Sequence, residues 1–237
     1  MGQGIFITGT DTDIGKTVVT AGLTAALSQQ GYDLGVMKPF QSGAFKEDDR
    51  LLAPDIEFIL QHISLDADYD LMNPIRLQPP LAPSVAAKEE GVKIDLNQIM
   101  SAYQQLQEEY QGLVVEGAGG LMVPLAEDFL IPDLVMRLDL PVIIVARPNL
   151  GTINHTVLTV KAARQLGLDV LGVIINGYPK EAGVAEETNP DIISDLAEVP
   201  ILGIMPYIEE MEQVDLGKIV ADSVDLEIII DSVELKY

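Results

Sequence analysis

The segment Gly9-Thr10-Asp11-Thr12-Asp13-Ile14-Gly15-Lys16-Thr17 ends in the Gly-Lys-Thr triplet of a nucleotide phosphate loop. It follows a short apolar run and opens a stretch with helical pattern, which is the context that motif requires. Backbone N–H groups of such a loop and of the helix start are free to face β- and γ-phosphates. Gly15 permits close approach, Lys16 adds fixed positive charge, and Thr17 offers a hydroxyl to Mg2+. The loop is a variant form: the strict pattern places glycine at position 10, where this chain has Thr10, and Gly9 lies one place early. Asp11 and Asp13 would repel an unaccompanied anion, so they imply a second, cationic ligand or work done through the metal.

A nucleotide-bound Mg2+ keeps several waters and takes one or two protein carboxylates. Glu116 is the leading acid, because it ends the apolar run Leu113–Val115 and precedes Gly117-Ala118-Gly119-Gly120, small residues that leave room for a ligand at a strand's carboxyl end. Asp55 has two readings on spacing alone, since Pro54-Asp55 also fits the first turn of a helix, where the dipole favours an acid. Lys38 ends a second apolar run and starts KPFQSG, a turn with Ser42, so its ammonium is expected at the same edge; an edge lysine extending from a buried stem is the plainer reading. Gly151-Thr152-Ile153-Asn154 opens a helix after a strand, leaving N–H groups for a small anion such as a carboxylate, with helix capping by Thr152 as the alternative. His62 and His155 have no metal-ligand spacing.

These residues need a sheet to position them. Apolar runs at Ile5–Thr8, Leu34–Lys38, Gly112–Glu116, Pro141–Ala146, Asp169–Asn176 and Pro200–Met205 read as buried parallel strands. Helical segments at Thr17–Gln30, Asp95–Tyr110, Ile153–Leu166 and Ala185–Ala197 alternate with them, predicting an α/β fold with a parallel sheet and helices on both faces. The proline-rich Asn73–Ser84 and the loop Gly117–Pro132 break the rhythm, and Leu226–Ile230 reads as an added edge strand. At 237 residues and 48% hydrophobic, one domain over residues 1–237 is expected. Thirty-seven acidic residues against 14 basic ones give a net charge of −23, which argues against a nucleic-acid partner. There is no cysteine to form a disulfide or thiolate site, and the start MGQGIFITGT has no basic segment followed by a long apolar one; neither signal peptide nor membrane span is expected, and a cytoplasmic location is.

Taken together, GTDTDIGKT, MKPFQSG, VVEGAGGLMVP and LGTINHT are similar, in order and spacing, to the motif set of the dethiobiotin synthetase family over residues 4 to 210, while the stretch from about 215 matches poorly. The resemblance implies a single-domain, three-layer P-loop fold, a homodimer with active sites at its interface, and ATP- and Mg2+-dependent ring closure of 7,8-diaminopelargonic acid with CO2. It implies that Lys16 and Lys38 stabilise the carbamate and the migrating phosphoryl group, and that Thr17, Asp55 and Glu116 hold Mg2+. Thr12, Asp13, Ile14, Gly15 and Gly117–Gly119 would surround the nucleotide, with Asn176-Gly177 and Pro206-Tyr207-Ile208, after later strands, around adenine. Ser42 and Thr12 would touch the diamine or carbamate, Asp11 and Asp13 would face the diamine, and Gly151–Asn154, from the partner subunit, would take its carboxylate. Asp13 stands where many members carry Glu, and Asn149 where Lys is frequent. A partitioning or regulatory ATPase of the same loop group is the alternative; those proteins carry a second lysine early in the loop, where this chain has Thr10-Asp11-Thr12-Asp13.

Overall fold

The computed structural model describes residues 3–233. Its centre is a six-stranded parallel sheet. The strand Gly4–Gly9 lies inside it, between Val142–Ala146 on one side and Gly112–Glu116 on the other. Leu34–Met37 flanks Gly112–Glu116, and Val170–Tyr178 then Ile201–Pro206 continue the sheet beyond Val142–Ala146. The first strand hands the chain to one edge of the sheet, and the later strands fall on both of its sides. The strand order therefore changes direction beside Gly4–Gly9, which opens a crevice at the carboxyl ends.

Period-two alternation assigns the side chains to two faces. Phe6, Val115 and Ile144 join one core cluster, while Ile5, Ile7, Val114 and Ile143 join another, so both faces are buried. Helices Leu96–Glu109, Ile131–Leu138, Thr152–Gln165 and Val184–Ala197 contribute to the first cluster through Leu106, Leu134, Val160 and Ile193. Helix Lys16–Gln29 covers the other through Val19, Leu23 and Leu27. This is the expected three-layer α/β fold.

The boundaries carry information about the site. Strand Val170–Tyr178 outruns its expected end at Asn176, so Gly177 lies within it as well, and Pro206 is the last residue of Ile201–Pro206. KPFQSG is less of a turn than expected: Phe40–Ser42 is a short strand, parallel to Ile75–Leu77 from the proline-rich segment. The expected edge strand at Leu226–Ile230 is instead helix Leu226–Val233. Leu226, Ile229 and Val233 repeat with helical spacing and are buried in the second cluster, and the Asp225 carboxylate accepts the Ile228 N–H at 3.3 Å, capping the helix start. Residues 234–237 of that C-terminal stretch lie outside the described residues. Among the described residues, no helix is long and apolar enough to cross a membrane.

Candidate active site

The phosphate loop connects the central strand Gly4–Gly9 to helix Lys16–Gln29. Gly15, the residue before the helix, has φ +89°, and a side-chain carbon there would collide with the Asn176 amide. Glycine is therefore required twice over, by conformation and by contact. Asn176 Nδ2 donates to Ile14 O at 3.0 Å, tying the loop to a strand two places along the sheet. Lys16 is buried, and its Nζ donates to Asp11 O at 2.9 Å. Burial first, and the nearby Lys38 charge second, lower its pKa to about 8.

The sheet delivers Glu116 to the same edge, as the last residue of Gly112–Glu116, with only 1% of its surface exposed. Thr17 Oγ1 donates to Glu116 Oε1 at 2.9 Å, and Lys38 Nζ donates to that same oxygen at 2.7 Å and to Gly117 O at 3.3 Å. Lys38 is also ion-paired to Asp55, in the first turn of helix Pro54–His62. Burial alone would depress the Lys38 pKa, but Glu116 and Asp55 outweigh it and hold the ammonium above the ordinary lysine value. Asp55 thus satisfies both of its readings, the helix start and the site.

One feature of this cluster fits a cation. Glu116 Oε2 is buried with no hydrogen-bond partner, a costly state for a carboxylate oxygen unless something positive is bound. Among the described residues, no group of three or more His, Cys, Asp or Glu could hold a metal by itself. Two carboxylates and the Thr17 hydroxyl instead suit Mg2+, which draws the rest of its shell from nucleotide and water.

Two cavities flank the loop and share Thr12, Asp13 and Gly15. The first, about 640 Å³, brings together Lys16, Thr17, Lys38, Asp55 and Glu116 with Ser42, Ala118 and Gly119. Ser42 Oγ is buried without a partner. Phe40, Gln41, Phe58 and Pro80 complete the walls. Sequence reasoning had not singled these out: the only signal for Phe40 and Gln41 was adjacency to Lys38 and Ser42, for Pro80 membership of the proline-rich segment, and for Phe58 its place one helical turn after Asp55. The second cavity, about 470 Å³, is lined by Ile14, Asn176, Gly177, Pro206, Tyr207 and Ile208, joined by Arg147, Asn149 and Met211.

One expectation turns out differently. Asp11 does not line the first cavity: its carboxylate pairs with Arg147 at 2.7 Å and accepts the Thr12 N–H at 2.8 Å. That N–H foremost, with Arg147, holds Asp11 below the usual carboxylate pKa. The loop's first negative charge is thus neutralised within the chain, and only Asp13 faces the cavity. Gly151–Asn154 lines neither cavity beside the loop: Thr152 is buried with its hydroxyl 3.2 Å from that of Thr156, and Gly151 and Asn154 are exposed.

A family model described as an AAA domain matches residues 3–215. The chain is 40% identical over 233 residues to ATP-dependent dethiobiotin synthetase BioD of Bacillus licheniformis, covering 98% of each chain. It is 45% identical over 203 residues to the protein of that name from Methanococcus vannielii, covering 85% of this chain and 92% of the other. Among solved structures, a ParA family ATPase from Chlorobium tepidum TLS superposes with a TM-score of 0.56 at 15% identity, covering 99% of both chains. The septum site-determining protein MinD complexed with Mg-ADP, from Pyrococcus horikoshii OT3, gives 0.55 at 18%, covering 99% of this chain and 95% of that one. At such identities these two likenesses show a shared P-loop fold and nothing about activity. Identity of 40% across nearly the full length of both chains is a different matter, and by it the chain belongs to the ATP-dependent dethiobiotin synthetase family.

Proposed function

We propose that this chain is a cyclo-ligase that joins CO2 to 7,8-diaminopelargonic acid with ATP, giving the cyclic urea dethiobiotin, ADP and phosphate. The observation that carries this reading is the first cavity, where a phosphate-loop lysine and a second buried lysine meet two carboxylates and an unpartnered serine hydroxyl. A simple nucleotide switch has no use for the second half of that set.

One amine of the diamine captures CO2 as a carbamate, releasing a proton. A carbamate oxygen attacks the γ-phosphorus as the bond to ADP breaks. The second amine then attacks the carbamoyl carbon of the mixed anhydride, phosphate leaves, and the ring closes. Catalysis is positioning and charge stabilisation, as in other phosphoryl transfers. Lys16 neutralises the phosphates from the loop side, and Lys38 meets the carbamate and the moving phosphoryl group from the opposite wall. Thr17, Asp55 and Glu116 would hold Mg2+, which when bound supplies positive charge to the phosphate oxygens. Asp55 and Glu116, which would hold the metal, are the carboxylates paired to Lys38, so the same two acids keep the Lys38 ammonium charged at the wall where the carbamate sits. Ser42 and Thr12 bond the carbamate or an amine, and Asp13 attracts an ammonium.

Ile14, Gly15 and Gly117–Gly119 surround the phosphates, and Asn176, Gly177 and Pro206–Ile208 take adenine in the second cavity. Gly151–Asn154 binds the substrate carboxylate in the site of a second copy, so the active form is a homodimer. In support, Leu150 is 87% exposed, and exposed Met122 and Leu158 line a groove with Thr10–Thr12 next to the loop. The reading takes residues 1–237 as one domain and the cytoplasm as its compartment.

The test is phosphate release by the purified protein with MgATP, bicarbonate and the diamine, each omitted in turn. Release is expected only with all three; release that ignores the diamine would sink the assignment.

A further inference from the structure

Lys38 and Asp55 come from different elements, and the chain between them is a poor ruler. It runs through the hairpin Phe45–Glu47 and Arg50–Leu52, whose first strand is wholly exposed. The two groups nevertheless touch. Their backbones are held from elsewhere, by the short helix Tyr69–Met72 and the residue after it.

Tyr69 Oη accepts the N–H of Ala53 at 2.8 Å. Ala53 is the N-cap of the helix that carries Asp55, and it makes no side-chain capping bond of its own. At the other end of the segment, Met72 O accepts the Lys38 N–H at 2.7 Å, and the Asn73 amide donates to Lys38 O. Lys38 lies one residue beyond strand Leu34–Met37, so its N–H and C=O have no partner in the sheet and are satisfied here instead. Asn73 is fully buried and its Oδ1 has no partner, so its described side-chain bond is the one to Lys38. A half-satisfied buried amide costs stability, which is a reason to look for a role beyond packing. The segment is itself fixed: the Asp68 carboxylate accepts the Asp70 N–H at 2.8 Å, and Arg76 pairs with Asp70 while lying 5.2 Å over the Tyr69 ring. Neither Tyr69 nor Asn73 lines either cavity beside the loop.

We infer that Tyr69–Asn73 is a brace that sets the separation of Lys38 and Asp55, with Asn73 the positioning residue for the lysine and Tyr69 the positioning residue for the aspartate. What the two held groups do rests on the proposed ligase reading; that they are held does not. A displacement of about 1 Å in a reacting group can cost on the order of a hundredfold in rate, so even a small shift of either backbone would register in turnover.

The experiment uses Tyr69→Phe, which keeps the ring and removes the acceptor, and Asn73→Ala beside Asn73→Ser, which keeps a short donor. Each is measured for kcat, for KM of ATP, for Mn2+ binding in the presence of ADP, and for its melting temperature. Tyr69→Phe is expected to weaken Mn2+ binding roughly tenfold, and Asn73→Ala to lower kcat by roughly ten- to a hundredfold, with KM of ATP changed by less than about twofold in both. Asn73→Ser is expected to recover part of the loss. Adding Tyr69→Phe to Asp55→Asn is expected to weaken Mn2+ binding no further. If the variants melt lower yet keep wild-type kcat and Mn2+ affinity, the segment is only a fold element and the inference is wrong; if Asn73→Ala does not fold, Tyr69→Phe and Asn73→Ser decide it. Diamine-independent phosphate release by the wild type would overturn the ligase reading alone, because Mn2+ binding still reports on the brace.

Discussion

The phosphate loop has two unlike neighbours. On one side it faces a deep wall where Lys38, Glu116 and Asp55 are mutually paired, with Lys38 and Glu116 almost without solvent contact. On the other it faces the uncharged Asn176, Gly177 and Pro206–Ile208, where Tyr207 is 63% exposed and Arg147 is paired to Asp11. Buried opposite charges interact far more strongly than solvated ones but are costly to assemble. A neutral, open surface can recognise a flat base by shape and a few hydrogen bonds without that cost. Under the proposed function, the contrast separates the end of the nucleotide where bonds change from the end that is only held.

The harshest way to test the contrast is Lys38→Gln. It removes the cation from the charged wall and leaves Glu116 and Asp55 facing each other. Turnover is expected to fall by at least about 10²–10³-fold, the scale for losing one transition-state charge stabiliser, while ATP affinity from a fluorescent analogue stays near wild type. The protein without ligand should lose about 3 kcal/mol of stability, the lower end for breaking a buried pair since Asp55 is partly exposed, and Mg2+ with ADP should restore much of the melting temperature. Loss of ATP binding would instead put Lys38 on the nucleotide side of the loop.

The two walls were not equally legible in the sequence. Lys16, Thr17 and Glu116 were readable because strand, glycine and charged residue are adjacent in the chain, and adjacency at a parallel strand's carboxyl end is already a position in space. Asp55 was readable only as one of two alternatives, since its partner Lys38 comes from another element. Tyr69 and Asn73 carried no signal beyond the proline after Asn73, because the bonds they make to Ala53 and Lys38 are to backbone groups, which have no letter in a sequence. Asp11 was misread as facing the substrate: its partner Arg147 lies 136 positions away in sequence, and no local pattern announces it. Leu226–Ile230 was misread for a different reason. Its β-branched run mimics a strand, and the buried i, i+3, i+7 set that decides for a helix needs Val233, beyond the run itself.

On the neutral wall the expected effects are smaller and of another kind. Asn176→Ala removes the bond to Ile14 O and one side of the second cavity. A single neutral hydrogen bond contributes about 1 kcal/mol, so KM for ATP should rise by roughly five- to tenfold while kcat at saturating ATP changes by less than about twofold. A fall in kcat with KM unchanged would erase the distinction between the walls.

The mildest probe leaves the protein unmutated and asks how the two lysines differ before ligand arrives. Lys38 already has its counter-charges and stays protonated across ordinary pH, whereas Lys16, with its pKa lowered to about 8 by burial and by Lys38, does not. A triphosphate beside Lys16 favours the charged form, so ATP binding should draw a proton from solution when the free protein has lost part of it. Calorimetry in two buffers of different ionisation enthalpy should find uptake approaching one proton per site as pH rises above about 8, and little at pH 6.5. The sign for stability follows from the same shift. A lysine lowered in the fold binds fewer protons there than in the unfolded chain, so its contribution to stability is flat below pH 8 and becomes more favourable from about 8 toward the ordinary value of 10.5. Lys38, raised in the fold, shows no change in that range until its own carboxylate pairing is lost at higher pH. Equal proton uptake at pH 6.5 and 8.5 would mean that Lys16 enters binding already charged, and that the walls differ in their partners but not in the state of their lysines.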